Sequence, residues 1–428
     1  MAFLDAPGPS DTAWLSTQSF GLAPLVDGGR IVTFDQRGTG ASGPIACPAF
    51  ARGPDPVTAA AACAASLGPA RTAYTTAERV ADADAVRSAI GVERMAVYGV
   101  GRGARLALAY ASAYPDRVMR LVLDSPLPSA GVDPFQRATI ASLRRWLRTP
   151  CTWDCPRSAR PDAEFASLVR DVGRAPLAAR AFDGRGRSHP VAIGTDELLR
   201  LLLAIEENGY AAGFLPTAVH AARQGDPALL ARLVDMQPSP SDWRGMDAPL
   251  LAERCQDDGL PWAPGTPPDG RRAALDARGA GIPAFAFAPF TVDVVRGLGL
   301  ADVCIGWPES PIAQPALPAP ASVPTLILAG RYDRRTPLAG AVALHVPGCT
   351  CRRGASVRPV RRGVCPCAPA GRSRLCAGRC TTRCSRLTNV SRRRPTYAST
   401  GCVSAACAAA TSTSLSGGGC ATTPMSRA

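Results

Sequence analysis

The chain contains no lysine: all 48 basic residues are arginine, a bias that speaks to codon composition more than to function. It has only three histidines, His189, His220 and His345, so imidazole chemistry is confined to three positions. No run of 18 apolar residues occurs, which excludes an ordinary membrane-spanning helix. The opening residues Met1-Ala2-Phe3-Leu4-Asp5 lack the basic start and long apolar stretch of a signal peptide, so the chain as it stands reads as cytoplasmic. Acidic residues are absent after Pro347, where 14 arginines remain, whereas the 34 arginines and 34 acids before it cancel. The net charge of +14 therefore sits entirely in the last 81 residues. With zero net charge, the body is not expected to bind nucleic acid.

What is present bounds the rest. With 428 residues, 46% of them hydrophobic and 19% charged, most of the chain can bury a core. The tail cannot. It has no Phe, Trp or Ile, three Leu, and ten of the 16 cysteines, so its apolar burial does not offset its ordering entropy. Three readings of the tail stay open: a basic arm, a cysteine metal module, or translation in a slipped frame. Its cysteine spacings match no paired C-x-x-C ribbon, so no metal is expected. One codon choice for Cys351-Arg352-Arg353-Gly354-Ala355-Ser356, read one base later, gives Ala-Gly-Ala-Gly-His.

Short apolar runs alternate with helical stretches. Arg30–Asp35, Met95–Gly99, Arg120–Asp124 and Thr325–Gly330 read as buried strands. Thr75–Ile90, with Thr76 as cap, Gly103–Tyr114 and Leu338–Leu344 read as helices. That alternation predicts an α/β doubly wound, mostly parallel sheet. The long stretch between the third and last strands, with helices such as Asp196–Ile205 and Pro216–Arg223, predicts an inserted helical cap. The predicted divisions are 1–125 and 321–348 for the core, 126–320 for the cap, and 349–428 for a disordered tail. Functional residues should follow strand ends.

Four such places agree: Gly99-Val100-Gly101-Arg102-Gly103, Gly330-Arg331-Tyr332-Asp333-Arg334-Arg335-Thr336-Pro337, the turn Asp35-Gln36-Arg37-Gly38-Thr39-Gly40-Ala41-Ser42, and Leu4-Asp5-Ala6-Pro7-Gly8. Together they resemble the α/β-hydrolase fold, and more narrowly the exported proline iminopeptidase and tripeptidyl aminopeptidase serine peptidases, over about residues 1–347. The resemblance implies a Ser-His-Asp acyl-transfer enzyme that releases residues from peptide N-termini. It implies a nucleophile elbow at Gly101, the triad acid at Asp333, and an oxyanion hole from the backbone N–H groups of Ala6 and Arg102. It also implies that relatives are exported, that Cys47 pairs with Cys63, and that the first strands and native last strand are missing here. Cys151–Cys155 and Cys255–Cys304 are one further pairing; spacing leaves connectivity open. Glu206 and Glu207 in the cap would hold a peptide's α-ammonium, or else form a solvated pair at a helix end.

The chemistry is broken at two points. Gly101 stands where the family has serine, and glycine offers no attacking oxygen. No histidine follows His345, which precedes the expected final strand, while His189 and His220 lie in the cap as structural residues. The expectation is a catalytically dead relative with no cofactor; Gly99–Ala104 departs from the G-x-G-x-x-G dinucleotide pattern. The alternatives are an active hydrolase with another nucleophile, or a non-catalytic module binding a short peptide or small ester.

Overall fold

The computed structural model describes residues 1–4, 10–13, 15, 30–51, 55–128, 132–148, 160–204, 209–237, 248–297, 299–308, 320, 322–330, 333–344 and 363–365. The core runs β1 (Ala2–Phe3), α1 (Pro56–Leu67), α2 (Thr76–Ala89), β2 (Met95–Val100), α3 (Arg102–Ala113) and β3 (Val118–Asp124). The cap follows with α4 (Arg137–Leu147), α5 (Pro161–Val172), β4 (Leu177–Phe182), β5 (Ser188–Ile193), α6 (Thr195–Ala204), α7 (Gly209–Arg223), α8 (Ala228–Asp235), α9 (Ala248–Asp257) and α10 (Pro268–Ala280). The chain then returns to the core with β6 (Thr325–Ala329) and α11 (Leu338–Ala343). The strand β7 (Gly363–Cys365) comes last.

The main sheet has the order β1-β2-β3-β6-β7. Its first four strands are parallel, and β7 runs antiparallel to β6. Three residues of the Arg/Cys-rich tail thus join the sheet edge, where the sequence predicts disorder; the rest of the tail lies outside the described residues. Pairing aligns Phe3, Gly99, Leu123 and Ile327 in one row. The carboxyl ends of four strands therefore finish level, and the segments that leave them share one edge.

Alternation explains which way the strands face. In β2, Met95 and Val97 are buried beside Leu106, Leu108 and Tyr110 of α3 in one apolar cluster, together with Leu121, Leu123 and Ile327. The cap has its own cluster around Phe135, Ile140, Phe165, Leu198 and Leu201. A third cluster surrounds the disulfides Cys47–Cys63 and Cys255–Cys304, with Leu251 and Trp307. The first pairing agrees with the family resemblance. The second is the pairing that spacing left open, and Cys151–Cys155 lies outside the described residues.

Three local expectations change. Thr75, not Thr76, caps α2, accepting a bond from the Glu78 N–H; Thr76 instead donates to Asp257. Arg30–Asp35 forms no regular strand. It runs beside β1 through single bonds, Ala2 N–H to Val32 O and Thr33 Oγ1 to Ala2 O, because a two-residue strand leaves no length for a ladder. The cap is not wholly helical: β4 and β5 form an antiparallel hairpin closed at Asp183–Arg187. Among the described residues no helix is long and apolar enough to cross a membrane.

Candidate active site

The turn that the resemblance reads as an elbow joins a strand to a helix. Gly101 sits between β2 and α3 with φ 54° and ψ −116°, a region that side-chain-bearing residues enter only under strain. Its N–H bonds to Asp124 O at 2.9 Å, and its carbonyl accepts the Ala104 N–H at 3.2 Å. The flanking glycines permit close approach. A Cβ on Gly103 would come 2.2 Å from Phe3 O, and one on Gly99 would come 2.3 Å from Gly103 O. With both flanks bare, α3 settles against β1 and β2 and its N-terminus points at the shared edge.

Asp333, which the resemblance implies as the acid, lies on the same edge. Asp333 follows β6, two strands from Gly101, so roughly 10 Å separates their strands at the usual inter-strand spacing. Its turn is fixed from within: Oδ1 accepts the Thr336 N–H at 2.7 Å and Oδ2 accepts the Thr336 hydroxyl at 2.6 Å. From the cap, Ser142 donates to Asp333 O at 2.5 Å, and the Arg334 guanidinium stacks 4.7 Å from the Trp146 ring centroid. Among the described residues no imidazole meets this carboxylate. His189 contacts Asp235 at 2.7 Å and His220 contacts Glu164 at 3.2 Å, both within the cap. These pairs fit their structural reading; His345 lies outside the described residues.

Two parts of the expected site are not described: Ala6 of the oxyanion turn, and the pair Glu206 and Glu207. What the structure does bring beside the elbow was not anticipated. A cavity of about 50 Å³ lies between the N-terminus of α3 and the cap helix α9, lined by Asp11, Gln36, Arg79, Arg102 and Glu253 among others. Glu253 forms a buried ion pair with Arg79. Burial acts to raise its pKa, but the guanidiniums of Arg79, Arg102, Arg105 and Arg254 outweigh it and hold the group below the usual range. Burial pushes Asp11 up to about 6, against a hydrogen bond from Gln36 and the charge of Arg102. The i, i+4 spacing of Glu253 and Asp257 marks one helix face in the sequence, and that signal was available.

The seam beside this cavity is strongly polar. Arg105 of α3 donates to Asp258 at 2.9 Å and to Asp257 O at 2.8 Å, and Arg254 donates to Asp258 at 2.5 Å. Thr76 meets Asp257 through its N–H at 2.7 Å and its hydroxyl at 2.6 Å. On the core side, Asp35 accepts from Ser10, from Thr12 and from the Ala41 N–H. Although burial opposes it, these bonds draw its pKa down to about 2.

A strand, a glycine elbow with φ 54°, a helix, and an acid turn two strands away decide the fold. The chain has an α/β-hydrolase fold and resembles the proline iminopeptidases. The family model for the alpha/beta hydrolase fold matches residues 12–166. The serine protease Hip1 of Mycobacterium tuberculosis is 27% identical over 290 residues, covering 61% of this chain and 51% of that protein. A proline iminopeptidase of Xylella fastidiosa is 37% identical over 151 residues, covering 33% of this chain and 36% of that protein. The chain thus spans about half the length of Hip1 and about a third of that iminopeptidase. Among solved structures, a proline iminopeptidase-related protein from Thermus thermophilus is 20% identical, with a TM-score of 0.23, covering 57% of this chain and 73% of its own. No group of three or more His, Cys, Asp or Glu among the described residues is placed to hold a metal ion.

Proposed function

We propose that this chain is a catalytically silent relative of the serine aminopeptidases. The observation that carries this reading is Gly101, a residue without a side chain in the elbow conformation at the N-terminus of α3. Acyl transfer of the Ser-His-Asp kind needs an oxygen there and an imidazole to take its proton. Asp333, the acid that the resemblance implies, has both its oxygens engaged by Thr336.

One observation favours an active enzyme with another nucleophile. Ser125 follows β3 on the same edge, has φ 52°, and donates to Asp124 at 3.1 Å. Among the described residues, the base it bonds is a carboxylate that also accepts from Tyr98 at 3.3 Å. A fluorophosphonate probe, which reacts with activated serines, followed by peptide mass mapping, distinguishes the two. Silence predicts no adduct; an adduct on Ser125 or any other serine establishes the second reading.

A further inference from the structure

We propose that α9 is a pH-responsive latch between cap and core: it seats on α2 and α3 when Asp257 carries a proton and loosens when Asp257 is ionised. This holds whether or not the chain hydrolyses anything.

The seam is lined by three neighbouring carboxylates, and they are not equivalent. Glu253 and Asp257 stand one turn apart on α9, and Asp258 follows directly. Glu253 meets Arg79 of α2, while Asp258 meets Arg105 of α3 at 2.9 Å and Arg254 of its own helix at 2.5 Å. Each of these two acids has a guanidinium against it. Among the described residues, the Asp257 carboxylate has none. Its Oδ2 accepts the N–H and the hydroxyl of Thr76 at 2.7 and 2.6 Å, and its Oδ1 is buried without a hydrogen-bond partner.

Ionising Asp257 in this setting is costly. The residue is 7% exposed, so one oxygen loses its hydration and gains no bond in return. Burial, joined by the charge of Glu253, pushes its pKa up to about 6 against the Thr76 bonds and the charge of Arg105. Arg102 of α3 acts on Glu253. Of the other elements packed against α9, the turn Gly68–Tyr74 brings Tyr74 and Arg71, whose guanidinium bonds Gly68 O; the turn Val303–Gly306 brings Cys304, held in a disulfide.

The sign follows. Seated, Asp257 holds its proton up to about 6; loosened and hydrated, it returns to about 4. Acid therefore favours the seated helix, and raising the pH favours loosening, by up to roughly 100-fold over the whole window. The other side of α9 is anchored, because Cys255 lies roughly 200° around the helix from Glu253 and is bonded to Cys304. The helix thus has one fixed face and one titratable face. Pro249, Leu250 and Glu253 line the cavity beside Gly101, so loosening widens that cavity.

Amide hydrogen exchange of the intact, oxidised protein from pH 5 to 8, corrected for the intrinsic pH dependence of exchange, tests this. Protection of the α9 amides should fall by about tenfold over that range, with a smaller change in β3. Asp257→Asn should abolish the α9 response. If that variant does not fold, Thr76→Val removes a donor that favours the ionised form, and the midpoint of the response should move to higher pH. No pH response in α9, an equal change in β3, the same response in Asp257→Asn, or an unmoved midpoint in Thr76→Val overturns the proposal.

Discussion

Arg79 of α2 and Glu253 of α9 form a buried ion pair that joins the hydrolase core to its cap. Their side chains are 10% and 8% exposed, so each charge depends on the other for compensation. Glu253→Ala leaves Arg79 charged and buried, and should cost about 3–5 kcal/mol in chemical denaturation. Replacing both with apolar residues of similar volume should cost far less, because no uncompensated charge remains. Equal losses for the single and double variants would contradict the pairing.

The elbow gives a second outcome. Gly101→Ser and Gly101→Ala both place a Cβ at φ 54°, and each should lose about 1–3 kcal/mol. Gly101→Ser should also gain no hydrolysis, since no imidazole among the described residues stands ready to take its proton. A shift in denaturation midpoint common to both variants, without activity, is the expected pattern.

Asp11 sets a pH dependence whose sign follows from its raised pKa. Between about 4, the unfolded value, and about 6, the folded state holds the proton more tightly than the unfolded state. Stability from this group therefore falls as pH rises through that window, and stays lower above it. Asp11→Asn should raise stability at pH 7 by an amount of order 1–3 kcal/mol and change it little below pH 4. Denaturant midpoints measured across pH 4–8 check this. Asp35 works oppositely: its stabilisation is present above about 4 and is lost as pH falls through about 2.

The Cys255–Cys304 bond closes a span of 49 residues, and Cys47–Cys63 a span of 16. Chain entropy gives about 4 and about 3 kcal/mol respectively. Cys304→Ser should therefore lower stability more than Cys63→Ser, read as midpoints under non-reducing conditions. Reduction of both variants should remove the entropic part of that difference.

Much of the core could be read from the sequence because its strands are short apolar runs and its turns are glycine-marked. Gly101 and Asp333 could be singled out because each follows a strand in order along the chain. The hairpin was missed for a physical reason: β4 reads Leu-Ala-Ala-Arg-Ala-Phe, and alanine on both faces blurs a period of two and favours helix. Only Asp183-Gly184 and Gly186 signalled its turn. The cavity was harder still. Asp11, Gln36, Arg79, Arg102 and Glu253 come from five separated segments, and no local pattern tells which charges folding will bury together.

The most direct test is steady-state turnover of a chromogenic ester and of a proline anilide by the purified protein. The account predicts hydrolysis no faster than the buffer rate, unchanged by Asp333→Ala. Turnover above background that disappears with Asp333→Ala would contradict it.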